Sequence, residues 1–385
     1  MTEPERPEDV PPVEDFASAN PYEPVSAPFV EPVPPRKPRP GLLLAIATGA
    51  AFLLVTVVGL VVGAVGDFGI RLAMNPDPEA VLKEIEKQLN TPGNTEMPPM
   101  ILQSLGAGML VGEFLSVFVA LVFLRVVVGR GWTRKIALRL PKWHHLLVAL
   151  LMLPALVIVH GIAHEIARIA MESVWPGKAS PPTDQMFQEM FAGWPAWLAV
   201  LVIGFGPGIG EELCCRGYIG RGLLARYGYF VGVGMTSTIF GLMHGSVTYA
   251  IGTAVMGAFL HGTLLATRSL WIPIILHTLN NSFSVLASLK VLAIDTAEPL
   301  PDAPTPWLMY ASSLLVTMTG FWLLYRTRVR VIDSLTGEAW RPPWASAAMP
   351  SDPRFVGQTR FPGYLAIAAF SISMYTLIHV LAFVA

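Results

Sequence analysis

The sequence contains few cysteines and few charged residues, and both shortages limit what it can be. The two cysteines, Cys214 and Cys215, are neighbours, which is a poor geometry for a mutual disulfide and excludes a disulfide framework. Only 14% of the 385 residues are charged, whereas 53% are hydrophobic. A soluble protein of this length does not need so much apolar surface, so we expect a polytopic membrane protein. The net charge of −1, with no basic domain, gives no indication of nucleic-acid binding.

The apolar segments predict an all-α bundle of about nine transmembrane helices. The predicted spans are residues 41–65, 101–128, 145–169, one that starts at 194, 229–245, 248–267, 270–289, 307–325 and 364–385. A short exposed helix is predicted at 80–89, between two prolines. Residues 1–40 are rich in Pro and Glu without an apolar period, so we expect a disordered tail there.

Basic residues predict how the chain is oriented in the cell membrane. Clusters of Arg and Lys occur at 36–39, 130–142 and 326–330, and alternating spans place all three on the same side. Because cytoplasmic loops carry an excess of Arg and Lys, we expect a cytoplasmic N-terminus and an external C-terminus.

Two adjacent glutamates, Glu211 and Glu212, interrupt an apolar stretch and are followed by Arg216. A charged side chain near the centre of a bilayer costs on the order of 2.5–3.5 kcal/mol by insertion scales. Adjacent carboxylates also repel each other. On a helix, Glu212 and Arg216 can pair at i,i+4, whereas Glu211 points elsewhere. The spacing therefore predicts an ion pair for Glu212 and a chemical role for Glu211.

Two further polar groups interrupt apolar helices, at Phe240-x-x-x-His244 and at His277-x-x-x-Asn281. The sequence predicts a turn after the acid pair at Tyr227-Gly228, and Glu211 and His244 are equally far from it along the chain. An antiparallel hairpin would bring both side chains to one level. Counting from the break at 268–270 places His277 at a similar depth, in the cytoplasmic half of the membrane.

A carboxylate, two imidazoles and an amide in one cavity suit hydrolysis. The carboxylate can act as general base towards a water, and one His can assist it. The other His, together with Asn281, can donate hydrogen bonds to an oxyanion. Alternatively, Glu211, His244 and His277 could bind a divalent metal such as zinc, although no H-E-x-x-H helix is present.

Together with Ser269-Leu270-Trp271-x-Pro273, these motifs resemble the CPBP (Abi) family of intramembrane proteases, which includes the type II CAAX prenyl endopeptidases. The resemblance covers roughly residues 193–290. It implies an all-helical membrane fold with a catalytic cavity that faces the cytoplasm. It also implies that Glu211 and His244 activate water, that His277 and Asn281 form the oxyanion site, and that Glu212 and Arg216 orient it. Members have been described both as metalloproteases and as metal-independent glutamate proteases, so a metal stays open; for this chain we expect the metalloprotease class. Arg268 and His261 depart from the family's glycine-rich lead into the Ser-Leu-Trp segment.

We therefore divide the chain into a tail at 1–40, an N-terminal transmembrane region at 41–192, a catalytic core at 193–292 and a C-terminal transmembrane region at 293–385. The predicted function is endopeptidase cleavage of a membrane-anchored or lipidated, CAAX-like substrate from the cytoplasmic side of the lipid bilayer. The alternative is a non-catalytic relative that serves a membrane partner as an immunity or scaffold factor. A transporter is disfavoured because the sequence shows no inverted repeat.

His160 and His164, in the third predicted span, are also spaced at i,i+4, as metal ligands can be. Glu165 falls at the wrong offset for a zinc-protease helix. We expect Glu165 to pair with Arg168 at i,i+3 instead.

Overall fold

The computed structural model describes residues 40–91, 97–177, 184–291, 306–333, 353–357 and 375. Within these residues the fold is helical except for one pair of short strands. The α-helices are α1 Leu42–Ala73, α2 Pro78–Asn90, α3 Pro99–Phe123, α4 Trp132–Lys135, α5 Trp143–Val174, α6 Asp184–Met190, α7 Ala196–Val200, α8 Gly206–Glu212, α9 Gly220–Tyr227, α10 Tyr229–Leu242, α11 Val247–Thr267, α12 Trp271–Ser288 and α13 Pro306–Arg326. Three π-helical segments continue α3, α7 and α8: π1 Leu124–Val128, π2 Leu201–Phe205 and π3 Leu213–Ile219.

Six helical stretches in the described residues are long and apolar enough to cross a membrane. They are Leu42–Ala73, Pro99–Val128, Trp143–Val174, Ala196–Leu242, Val247–Thr267 and Trp307–Arg326. The all-helical, multi-pass prediction is thus confirmed, but nine spans are not. The predicted fifth span is part of the Ala196–Leu242 stretch, and the seventh corresponds to α12, which is not among the six. The tail at 1–39 and, except for Tyr375, the span at 364–385 lie outside the described residues.

The exposed helix predicted between the first two spans is present as α2. Its N-terminus begins at Pro78, and Asp77 caps it by accepting a 3.0 Å hydrogen bond from the backbone N–H of Ala80. An acidic or amide cap satisfies one of the free N–H groups of the first turn. None of the side chains of α2 is buried, as expected for a helix outside the bundle.

The chain reverses direction at Gly228, as the sequence predicts. Gly228 has a φ of +79°, a conformation that residues with a Cβ seldom adopt. In a continuous α-helix, residues eight positions apart are separated by about 12 Å. Here a Cβ on Gly232 would lie only 2.6 Å from the Cα of Leu224, so α10 folds back against α9.

Close packing of α1 on α3 depends on glycines that face each other. A Cβ on Gly59 would lie 2.6 Å from the Cα of Gly112, and one on Gly63 would lie 2.9 Å from the Cα of Gly108. Both helices therefore carry a G-x-x-x-G pair at their contact. Small residues let transmembrane helices approach closely, where dispersion contacts between backbones stabilise the pair.

The loop before α5 is hydrogen-bonded to the turn between α11 and α12. The Arg139 guanidinium donates from Nε to the Arg268 carbonyl at 2.6 Å and from Nη2 to the Thr267 carbonyl at 2.7 Å. The Ser269 hydroxyl donates back to the Arg139 carbonyl, and the Leu270 N–H donates to the Ala137 carbonyl. Burial lowers the pKa of Arg139, and the nearby Arg268 lowers it further. These contacts satisfy carbonyl groups at the C-terminal end of α11, which have no partner within the helix.

Two short strands, β1 Val329–Asp333 and β2 Pro353–Gly357, pair antiparallel with Val331 opposite Phe355. No strand was predicted in this region, where the apolar period of α13 ends. Val329, Val331 and Ile332 are β-branched, which favours a strand once the helix has stopped.

Candidate active site

A glycine-rich run leads into the two glutamates and brings α12 close to them. A Cβ on Gly204 would collide with the Ser282 hydroxyl, and one on Gly208 would collide with the Thr278 hydroxyl. These glycines are four residues apart, so they lie on one face of the helix. Their hydrogens leave room for α12 directly beside the acid pair.

Two other glycines of the same run, Gly206 and Gly210, let α3 pack equally closely against a second face of this helix. A Cβ on Gly206 would lie 2.6 Å from the Cβ and 3.2 Å from Oε2 of Glu113. One on Gly210 would lie 3.1 Å from the Ser116 hydroxyl. The acid pair is thereby held between α3 and α12.

Glu212 is the centre of a buried ion network. Its Oε1 accepts from Arg216 Nη1 at 2.7 Å and from His277 Nδ1 at 2.9 Å. Glu212 and Arg216 are both 0% exposed, and His277 is 3% exposed. Arg216 also donates from Nη2 to the Gly257 carbonyl at 3.0 Å. The predicted ion pair is confirmed, and His277 on α12 joins it.

The Phe240 ring lies between the groups of the site. The Arg216 guanidinium carbon is 4.2 Å from the ring centroid, a cation–π distance. The His244 and His277 rings contact Phe240 edge-on, with centroid separations of 5.3 and 5.6 Å. One aromatic side chain therefore brings the motifs of π3, α10 and α12 together.

Hydrogen bonding assigns the free nitrogen of each imidazole. His244 Nδ1 donates to the Phe240 carbonyl at 3.0 Å, since a carbonyl can only accept. His277 Nδ1 donates in the same way to the Glu212 carboxylate. Among the described residues, Nε2 of both rings has no hydrogen-bond partner, so it is the atom available to a substrate or water.

Glu211 is surrounded differently from its neighbour. The side chain is half-buried, and its buried Oε2 has no hydrogen-bond partner within the described part of the chain. Glu113 of α3 interacts with it electrostatically and is itself only 8% exposed. Burying a carboxyl group in a membrane span costs free energy, and such groups usually mark functional sites.

Asn281 fills a gap that a proline creates. Pro207 has no N–H and cannot donate to the Ile203 carbonyl four residues before it. Asn281 donates from Nδ2 to that carbonyl at 3.2 Å, and its Oδ1 accepts from Asn280 at 3.1 Å. The second N–H of the Asn281 amide stays available for another acceptor.

The other histidines of interest lie on α5. His160 interacts electrostatically with His244 and His277. His164 instead contacts Tyr249, with ring centroids 4.6 Å apart. The predicted Glu165–Arg168 pair is confirmed, with an N–O distance of 2.6 Å on an exposed part of the helix.

The described residues do not form a three-ligand metal site. No three His, Cys, Asp or Glu side chains among them are grouped as ligands of one ion would be. Of the predicted set, His244 and His277 each keep Nε2 free, while Nδ1 donates to the Phe240 carbonyl and to the Glu212 carboxylate. Metal-binding histidines commonly make such Nδ1 hydrogen bonds, so what this site lacks is a third grouped ligand and not a free imidazole nitrogen.

An apolar cavity of about 280 Å³ lies between α1, α3 and π3. Leu213 and Cys214, which directly follow Glu212, line one wall. The remaining lining residues are small or apolar and belong to α1, α3 and π1: Leu44, Ala47, Thr48, Ala51, Phe52, Val55, Val119, Ala120, Phe123 and Leu124. The cavity thus offers room for an apolar chain rather than for a polar group.

Glu113 was not among the site residues predicted from the sequence. The predicted residues that do meet around Phe240 are Glu212, Arg216, His244 and His277. Glu113 is the one acid within the apolar stretch 101–128, and an ionisable residue in a membrane span was the signal that could have revealed it.

Comparison with known proteins agrees with the motifs. Residues 193–283 match the family model described as type II CAAX prenyl endopeptidase Rce1-like, which confirms the resemblance over that segment. No curated protein and no solved structure matches the chain. The acid pair, Phe240, both histidines and Asn281 all lie within the matched segment.

Proposed function

We propose that this chain is an intramembrane endopeptidase that hydrolyses a peptide bond by means of a water activated by Glu211. The observation that carries the proposal is the contrast within the acid pair. Glu212 Oε1 is bonded to Arg216 and His277, whereas Glu211 has a buried oxygen and no hydrogen bond or ion pair among the described residues. A carboxylate that binds no cation is suited to accept a proton.

In the proposed reaction, the water oxygen bonds to the carbonyl carbon of the substrate while one water proton passes to the Glu211 carboxylate. His244 assists once Glu211 has taken the proton, by accepting a hydrogen bond from that carboxyl group at Nε2, the nitrogen that its contact with the Phe240 carbonyl leaves free. The tetrahedral intermediate then collapses, its C–N bond breaks, and the leaving nitrogen receives the proton from Glu211.

The negative oxygen of the intermediate is stabilised by His277 and Asn281. Donation from His277 Nε2 requires a ring that is protonated on both nitrogens, and the Glu212 carboxylate at Nδ1 supplies the countercharge. Asn281 contributes the amide N–H that is not bonded to the Ile203 carbonyl. Fixed donors directed at developing charge are a major source of catalysis.

The proposed substrate is a membrane-anchored or lipidated peptide. The apolar cavity between α1 and α3 supports this, because two of its lining residues, Leu213 and Cys214, directly follow Glu212 in the chain. A lipid chain in that cavity would hold the attached peptide near Glu211.

We further propose that residues 193–292 form a catalytic core whose site opens towards the cytoplasm. The N-terminus is proposed to lie on the same side of the membrane. Basic residues support this orientation, since the loop at 129–142 carries Arg130, Arg134, Lys135, Arg139 and Lys142. That loop is bonded to the turn that precedes α12.

The test is a cleavage assay with purified protein in liposomes and a library of lipidated and unlipidated peptides. Wild type is expected to cleave lipidated members, and Glu211→Gln is expected to lower kcat by about 10²–10⁴, the usual contribution of a general base. Folding and substrate binding should not change, because Glu211 makes no ion pair among the described residues.

The matched control is Glu165→Gln, which removes a carboxylate from an exposed pair on α5. It should cleave like wild type. A biological effect of wild type that survives Glu211→Gln intact would favour a non-catalytic partner-binding role.

A further inference from the structure

Glu113 is the feature of the site that the matched segment does not explain. It lies on α3, about 80 residues before the segment at 193–283. Its side chain is 8% exposed and packs against Gly206, with Oε2 only 3.2 Å from where a Cβ would lie. No hydrogen bond involves its carboxyl group among the described residues, although its backbone carbonyl accepts from Ser116.

The surroundings of Glu113 point to the acid pair rather than to a structural role. No Arg, Lys or His pairs with it in the described residues, so it does not serve as a countercharge. The charged group with which it interacts electrostatically is Glu211. A buried carboxyl group without a partner destabilises a fold, since its desolvation is not compensated. Two such groups that interact electrostatically are stabilised by a molecule that can hydrogen-bond to both.

Glycine at 206 is what allows this approach. A side chain there would occupy the space of the Glu113 Cβ, 2.6 Å away, and would separate α3 from α8. Gly210, one turn further on, admits Ser116 of the same helix. The close packing therefore presents the Glu113 carboxyl group to the helix that carries Glu211.

We propose that Glu113 is a further catalytic residue, which holds the attacking water together with Glu211. One O–H of the water donates to Glu113 and the other to Glu211, so that a lone pair of the oxygen is directed at the substrate carbonyl. The proton moves to Glu211 alone, the C–O bond forms, and the C–N bond breaks as in the proposed function, on which this inference rests. Glu113 only accepts a hydrogen bond and ends the cycle unchanged.

This role makes a specific demand on side-chain chemistry. The group at 113 must accept a hydrogen bond, but it need not carry a charge. Glutamine keeps an acceptor oxygen at the same place, whereas methionine has similar length and volume without a comparable acceptor. If Glu113 positions the water, Glu113→Gln should retain more activity than Glu113→Met. If its role were purely structural, Glu113→Met should be the better tolerated of the two, because an apolar replacement removes the desolvation cost of a buried carboxyl group.

The test measures kcat and KM of Glu113→Met and Glu113→Gln in the liposome assay, with the melting temperature of each variant. Glu113→Met should lower kcat by about 10- to 100-fold, the loss expected when a reacting group is misplaced by an ångström or so, with KM unchanged. Glu113→Gln should regain most of that loss. Ser116→Ala is the matched control on the same helix face, and it should cleave like wild type.

Several outcomes would overturn the inference. Glu113→Met with wild-type kcat would show that 113 takes no part in the reaction. Glu113→Gln as impaired as Glu113→Met would show that charge, not hydrogen-bond acceptance, is required. If Glu113→Met does not accumulate, Glu113→Ala is measured instead, and added formate must restore its rate for the inference to hold. Loss of activity only in the Glu113 variants leaves the proposed function intact, whereas a wild type that cleaves no peptide overturns both.

Discussion

The two halves of the candidate site, which begin at neighbouring residues, are built in opposite ways. One half, the bonded half, consists of Glu212, Arg216 and His277, which bond to one another out of contact with solvent. The other, the open half, consists of Glu113 and Glu211, whose carboxyl groups bind no cation among the described residues. Adjacent positions on a helix point about 100° apart, so a single turn can supply both environments. The bonded half therefore gives the site rigidity, and the open half contains the carboxyl groups that are proposed to react.

The largest expected effect comes from breaking the bonded half. Arg216→Met leaves the Glu212 carboxylate buried and without its cation, which should lower the free energy of unfolding by about 3–5 kcal/mol. The measurement is thermal or denaturant unfolding in detergent, together with abundance in the membrane.

Arg168→Met is the matched control, because it removes the same side chain from the exposed Glu165–Arg168 pair. Exposed ion pairs contribute little to stability, so its unfolding curve should overlay that of wild type. Equal stability of the Arg216 and Arg168 variants would mean that the bonded half does not stabilise the fold.

A smaller effect is expected at the boundary between the halves. Asn281→Ala should lower kcat by about 10²–10³, the loss typical of one oxyanion donor. It also removes the hydrogen bond to the Ile203 carbonyl, which should cost about 0.5–1.5 kcal/mol of stability. Ser284→Ala on the same helix is the control for α12. A loss of stability without a loss of kcat would assign Asn281 to helix packing alone.

The smallest effect is expected from metal removal. Because neither half presents three ligands to one ion in the described residues, a chelator should leave the cleavage rate unchanged. The assay is run before and after dialysis against the chelator. A lasting loss of the cleavage rate that is reversed by added zinc would show that Glu211, His244 and His277 bind an ion together. Glu211 would then be a metal ligand and not an unpaired carboxylate of the open half.

Local spacing was enough to predict the bonded half in part. Glu212 and Arg216 pair at i,i+4 as expected, even though Arg216 lies in a π-helical segment. The contact between Glu212 and His277 was not predicted. It depends on how α8 crosses α12, which Gly204 and Gly208 determine through contacts that appear only in the folded chain.

The open half was harder to predict, since its two carboxyl groups come from distant parts of the sequence. Glu113 lies in α3, and nothing in its neighbourhood along the chain indicates Glu211. The nine predicted spans and the six spanning stretches of the described residues differ for another reason. The stretch Ala196–Leu242 contains the predicted fourth and fifth spans on either side of the reversal at Gly228. In addition, α12 carries the polar side chains of the site, which makes it less apolar than a lipid-facing helix.

The hydrogen bonds that join residues 137–139 to the turn before α12 bear on how much of the chain the candidate site requires. Arg139 donates to that turn, and the Ala137 carbonyl accepts from Leu270. These contacts hold the start of the helix that carries His277, and they come from a loop well upstream of the segment at 193–283. A chimera that contains only the matched segment would carry the candidate catalytic motifs without the contacts that position α12. The structural unit needed to transplant the site therefore extends at least to residues 137–139, beyond the segment recognised by similarity.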